Sequence, residues 1–215
     1  MDSSVSENTY KKIFQIEKNN DDIKKAVLTN TVKMLTERKS LDKKNLEKNI
    51  KTLIETTNDD NSYFINLDNY KNEEDKKVSI RIFPQKISAI SKQSGISDHL
   101  NKYKDMHKII VVKGINTKAA QSILNNYPKT EIFMENELMI NLVDNVFVPR
   151  YEVLDRETED FKTFCELYNC KKRNIPKLYA HDPTARYYNL KKGDIVRVIR
   201  VSETSGLSAF YRIVI

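Results

Sequence analysis

Four glycines serve a chain of 215 residues, and no two of them lie close together. Gly95, Gly114, Gly193 and Gly206 form no cluster, which excludes the Gly-rich loops that cradle nucleotide phosphates. Histidine is as scarce: His99, His107 and His181 lack motif partners and read as surface or structural residues. The two cysteines, Cys165 and Cys170, would stand about 140° apart around a helix, so they do not face each other. No second Cys/Cys or Cys/His pair accompanies them, so no zinc site is expected. The pair reads as one or two reduced, packed thiols in an intracellular protein. The longest fully aliphatic run is residues 109–112, too short for a membrane span. The opening MDSSVSENTYKK has no apolar core, so no signal peptide is expected. No serine sits in a nucleophile elbow. These absences predict no catalytic residue, metal, cofactor or small-molecule substrate.

Charge is abundant. Charged residues make up 31% and hydrophobic residues 39%, with a net charge of +7. The basic excess is spread: four charges before Asp144 and three from there on, so no basic arm carries it. Such a mixed surface permits nucleic-acid contact without demanding it. The length fits one large domain or two small ones.

Periodicity divides the chain. Residues 1–20 form a polar extension with Tyr10, Ile13 and Phe14 on one helical face. A helix is predicted from Asp21, with Ile23, Val27, Thr31, Met34 and Leu35 at helical spacing. Ser40 is predicted to cap a further helix, with Leu41, Leu46, Ile50, Leu53 and Ile54 as its buried stripe. Short strands are expected at 63–67, 78–83, 108–112 and 130–134, and helices at 87–94 and 117–127, the latter burying Ala120, Ile123 and Leu124. Residues 97–99 read as the start of a connection, and 138–141 as a short element after the fourth strand. The expected organisation is an extension at 1–20, an α/β domain at 21–144 and a smaller α+β domain at 145–215. The second contains a helix at 157–168, with Phe161, Phe164 and Leu167 packed.

The end of the chain is the most patterned part. Asp182 before Pro183 is an N-cap followed by proline at the first helical position. Ile195, Arg197 and Ile199 alternate with Val196, Val198 and Arg200, as Phe210 and Arg212 do with Tyr211 and Ile213, which predicts two strands. Gly193 and Gly206 suit the turns at either end of the first strand.

The stretches IPKLYAHDPTARYYNLKKGDIVRVIR, SETSG and YRI, together with EIFMENELMINLVDNVFVPRYEVL and TVKMLTERKSL, resemble the fifth subunit shared by eukaryotic RNA polymerases I, II and III and its shorter archaeal counterpart. That resemblance implies a non-catalytic subunit of DNA-directed RNA polymerase. An N-terminal jaw domain, restriction-endonuclease-like in fold, would lie beside downstream duplex, and a C-terminal assembly domain would anchor to the largest subunit. The family carries an Arg and then an aromatic after the Gly of the SETSG link; this chain has Leu207 and Ser208. A cellular source implies the nucleus; a large DNA virus implies the virion and the host cytoplasm or nucleus.

Two sets of contact residues follow. Lys113, Asn116, Thr117 and Lys118 surround a predicted strand-to-helix junction, where Gly114 is expected to turn the chain. Free N–H groups and two lysines there suit a phosphate, and the resemblance carries a DNA-proximal role onto Asn116, Thr117 and Lys118. Arg186, Lys191, Lys192, Arg197, Arg200, Glu203, Thr204, Ser205, Tyr211 and Arg212 cluster around the two terminal strands, and with the resemblance they become the subunit-docking set. The competing readings are a free-standing nucleic-acid-binding module and a metal-dependent nuclease. The second would use Glu74-Asp75-Lys76 with Asp59, Asp60 or Asp68, although the triplet lies in a polar run better read as a charged turn.

Overall fold

A computed structural model describes residues 19–56, 61–70, 76–88, 95–145, 147–154, 159–168 and 172–215. The class is mixed α+β, with helices and, among the described residues, two four-stranded sheets. Contacts divide the chain into two units: one holds the chain up to Val32 and 47–139, the other Lys33–Leu46 and Ile140–Ile215.

In the first unit, β1 (Ser62–Asn66) pairs antiparallel with β2 (Lys77–Ile87). Parallel pairing then joins β2 to β3 (His107–Ile115) and β3 to β4 (Thr130–Met134). Ile109, Ile110, Val111 and Val112 are all fully buried. A parallel strand covered on both faces needs such an unbroken apolar run. Ile110 and Val112 pack with Phe83, Ile96, Leu100 and Ile123, the last three supplied by helices Ile96–Lys102 and Thr117–Asn126.

The strand expected to stop at Pro84 continues to Ile87, because a register shift between Phe83 and Lys86 carries the ladder past the missing N–H. Ile87 therefore ends a strand rather than starting a helix. Residues 97–99 lie within a helix rather than a connection. Gly114 does not turn the chain: it stays in β3, paired with Lys86, whose Cγ lies 3.4 Å from where a Cβ would stand. Of the predicted stripe, Ile123 is buried and Ala120 packs partly against the same core, but Leu124 is 47% exposed and Ala119 is buried in its place. Leu138 ends the short helix Glu135–Leu138.

Lys108 is the unusual core residue. It is buried on β3, and its Nζ donates to the carbonyls of Tyr103 at 2.8 Å, Lys104 at 2.9 Å and Met106 at 2.9 Å. Those carbonyls belong to the turn that leaves helix Ile96–Lys102, where a cation satisfies acceptors that the helix cannot. Burial pushes the lysine pKa down, opposed by Asp105.

The second unit has sheet order β5-β7-β8-β6, from β5 (Arg150–Leu154), β7 (Ile195–Ser202), β8 (Gly206–Val214) and β6 (Lys177–Leu178). One face packs Val196, Val198 and Val214 on Ala185 and Leu190. The other packs Leu154, Ile195 and Ile213 on Phe164 and Ile175. Phe164 comes from helix Glu159–Tyr168, but Leu167 is 76% exposed rather than packed, and Cys165 is exposed. Cys170 lies outside the described residues. Asp182 accepts from the N–H of Thr184 at 2.9 Å and caps helix Pro183–Tyr187, as its spacing predicted.

The unit also contains 33–46, the end of helix Asn20–Glu37 and the turn after it. Ser40 is not the cap expected of it: the next helical turn starts after Asp42, and helix Leu46–Glu55 follows. Ile54, placed in the buried stripe, is 36% exposed.

Lys33 Nζ donates to Asp144 Oδ2 at 2.9 Å. Hydrogen bonds from Lys33 and then Asn141 hold the Asp144 carboxyl below its ordinary value of 3.8. A lowered folded-state pKa stabilises the fold above the ordinary value, and this is lost as pH falls through the folded value. Both side chains are partly solvated, so the gain is about 1 kcal/mol or less. Asp144→Asn should lower thermal stability slightly at pH 7, and the gap from wild type should close below pH 3.8. A thermal melt series across pH checks this.

Candidate functional site

The docking candidates gather on and around β7 and β8, but they are not equivalent. Asp194 accepts from the N–H of Lys191 at 2.7 Å and Gly193 adopts φ +92, which fixes the turn before β7. Lys191 and Lys192 are exposed on that turn. Lys191 Nζ donates to Asn189 Oδ1 at 2.8 Å. Arg197 is engaged inside the unit: its Nε and a terminal nitrogen donate to one Glu152 oxygen at 2.8 and 2.6 Å. The Glu152 contact raises the Arg197 pKa further. Tyr211 packs among aromatics, its ring 4.6 Å from Phe164 and 5.1 Å from Tyr168.

The outer half of the hairpin is open. Arg200, Glu203, Thr204 and Ser205 are exposed, and Ser202 Oγ lies 3.3 Å from Thr204 Oγ1 across the turn. Arg200 and Arg212 both approach the Phe210 ring, at 5.2 and 5.9 Å from its centroid. Leu207 is 74% exposed and pairs directly with Val201, which is 84% exposed.

Arg186 lies on helix Pro183–Tyr187, and Arg38 holds the end of that helix. Arg38 Nε donates to Tyr187 O at 2.6 Å, and a terminal nitrogen donates to Arg186 O at 2.9 Å. Tyr187 is buried, and its hydroxyl donates to Asn141 Oδ1 at 2.7 Å. Burial raises the Tyr187 pKa strongly and that of Tyr188 to about 12. Sequence spacing did not reveal Arg38 or Glu152, since both act across long stretches of chain.

At the other candidate site, Asn116 caps helix Thr117–Asn126 and accepts from the N–H of Lys118 at 3.3 Å. Lys113, Asn116, Thr117 and Lys118 are all exposed. Lys86, which sequence reading missed, joins them by pairing with Gly114, because β2 runs on past Pro84. Glu74, Asp75, Asp59 and Asp60 of the nuclease reading lie outside the described residues. Glu131, on β4, is 2.7 Å from His107 Nε2. Among the described residues no group of three potential metal ligands comes together.

Residues 140–214 match the family RNA polymerase Rpb5, C-terminal domain. The DNA-directed RNA polymerase subunit 5 of Acanthamoeba polyphaga mimivirus is 38% identical over 214 residues, spanning 95% of this chain and 98% of the relative. The chain belongs to the fifth-subunit family of DNA-directed RNA polymerases. Family members are structural, non-catalytic parts of an enzyme complex. The subunit RPABC1 of polymerases I, II and III from Caenorhabditis elegans is 37% identical over 109 residues, half of each chain. Subunit Rpo5 of Methanocaldococcus jannaschii is 38% identical over 76 residues, 35% of this chain but 95% of the relative. The archaeal match thus takes in nearly a whole protein there, about the size of the second unit's longer segment.

Proposed function

We propose that this polymerase subunit works as an anchored jaw. The second unit docks on the largest polymerase subunit through the exposed polar groups beside β7 and β8. The first unit lies beside downstream duplex, with Lys113, Asn116, Thr117 and Lys118 toward a phosphate. Similarity to a polymerase subunit along nearly the whole chain carries the reading. A helix N-terminus with exposed lysines supports the DNA contact, because the positive helix end and the lysine charges suit phosphate without reading bases. The mixed four-stranded sheet of the first unit, with helices on it, supports a restriction-endonuclease-like core. The viral relative fits action in a virion and infected cell, and the cellular relatives fit the nucleus.

Assembled polymerase carrying Lys113→Glu with Lys118→Glu should bind duplex several-fold more weakly at low salt. Its log-log salt slope should also become shallower, by up to about 2. Unchanged affinity at low salt would remove the DNA-proximal role from this junction.

A further inference from the structure

We propose that the outer edge of β8, at Leu207, Ala209 and Tyr211, accepts an extended segment of another polymerase subunit as an added strand, and that this segment alternates apolar with acidic residues. This rests on the reading of the second unit as the docking unit and says how it docks.

The edge is defined by hydrogen-bond parity. β6 is only two residues long and pairs with Ile213 and Val214 alone. Ile213 N–H donates outward to Pro176 O at 2.8 Å and Ile215 N–H to Leu178 O at 2.9 Å, while Val214 N–H donates inward to Asp194 O at 2.9 Å. Backbone direction alternates along a strand, so the N–H and C=O groups of residues 211, 209 and 207 point outward like those of Ile213. No strand among the described residues pairs with them. Protein edges are commonly blunted by Pro, Lys or a bulge. This stretch has none of them, and its register with β7 is unbroken from Ile213 to Gly206.

The two faces beside the edge differ, which specifies the partner. One carries the cross-strand pair Val201 and Leu207, both largely exposed. The other carries Phe210 with the guanidinium groups of Arg200 and Arg212 against its ring. A strand laid along the edge places successive side chains on opposite faces. Apolar residues then meet Leu207, which Val201 backs from β7, and carboxylates face the guanidinium groups gathered at Phe210. A second copy of this chain fits poorly, because its own β8 carries no carboxylate to set against the arginines.

Ala209→Pro tests the edge. It removes one outward N–H while keeping the inward ladder to β7, and edge positions tolerate proline. The full-length variant should retain wild-type circular dichroism and melt within a few degrees. Polymerase recovered with it from cells, after a moderate salt wash and measured by quantitative mass spectrometry, should fall at least tenfold. Arg200→Glu with Arg212→Glu should do the same, and it decides the matter if Ala209→Pro fails to fold. Full recovery with folded Ala209→Pro, or with the double reversal, overturns the added strand and leaves docking elsewhere on the unit intact. Full recovery also with Lys191→Glu and Lys192→Glu would count against the docking reading itself. A free wild-type chain that sediments as a dimer, and as a monomer after Ala209→Pro, would assign the edge to a second copy and overturn the proposal.

Discussion

Lys108→Met should destabilise the first unit by about 3–5 kcal/mol. Methionine matches the length of the lysine stem but donates nothing, so the carbonyls of Tyr103, Lys104 and Met106 lose a shared donor at once. Each charge-assisted bond contributes roughly 1.5–3 kcal/mol, and incomplete burial of the three acceptors keeps the total below their sum. The expected midpoint shift in a thermal melt is on the order of 10 °C. Urea unfolding followed by circular dichroism measures it. A loss under about 1 kcal/mol would mean that water replaces the ammonium freely, and that the turn after helix Ile96–Lys102 is held by other contacts.

Arg38→Ala should cost the second unit about 2–4 kcal/mol and weaken polymerase assembly with it. The guanidinium supplies two donors to the carbonyl end of helix Pro183–Tyr187, one at 2.6 Å and one at 2.9 Å. Removing it strands both acceptors next to buried Tyr187, where the Tyr187–Asn141 hydrogen bond closes the same corner. Arg38→Lys should recover only part of the loss, since a single ammonium lacks the fork that reaches both carbonyls. Denaturant titration with tryptic mapping of 140–215 reads the effect locally. Equal protection of that segment in wild type and Arg38→Ala would show that the helix end does not depend on Arg38.

The legible parts of this fold are those governed by neighbours in the chain. Asp182 and Pro183 announced their helix because capping is local chemistry. The run 109–112 announced a buried strand because an unbroken aliphatic stretch has few other uses. The terminal hairpin was visible from its alternation, and Gly193 and Gly206 do take positive φ. Elements that depend on distant partners were harder. Helix Ile96–Lys102 is short and weakly patterned, and its exit is held by Lys108 from β3. Strand β5 is five residues long and gains its place from pairing with β7, including the Glu152–Arg197 ion pair. Leu124 and Leu167 look like core residues by composition, yet both face solvent. Arg38 sits in a stretch that reads as a helix end, and its hydrogen-bond partners lie 148 and 149 residues onward. Of the contact residues, the strand-to-helix junction around Asn116 was visible in advance, whereas Lys86 was hidden by a strand that outlasts its proline.

The most direct test of the polymerase-subunit assignment is size and company in the native extract. Tagged full-length protein should elute from gel filtration in a complex many times its own 25.1 kDa, with the two largest polymerase subunits among the proteins identified by mass spectrometry. Elution at the mass of the free chain, without other polymerase subunits, would contradict the assignment.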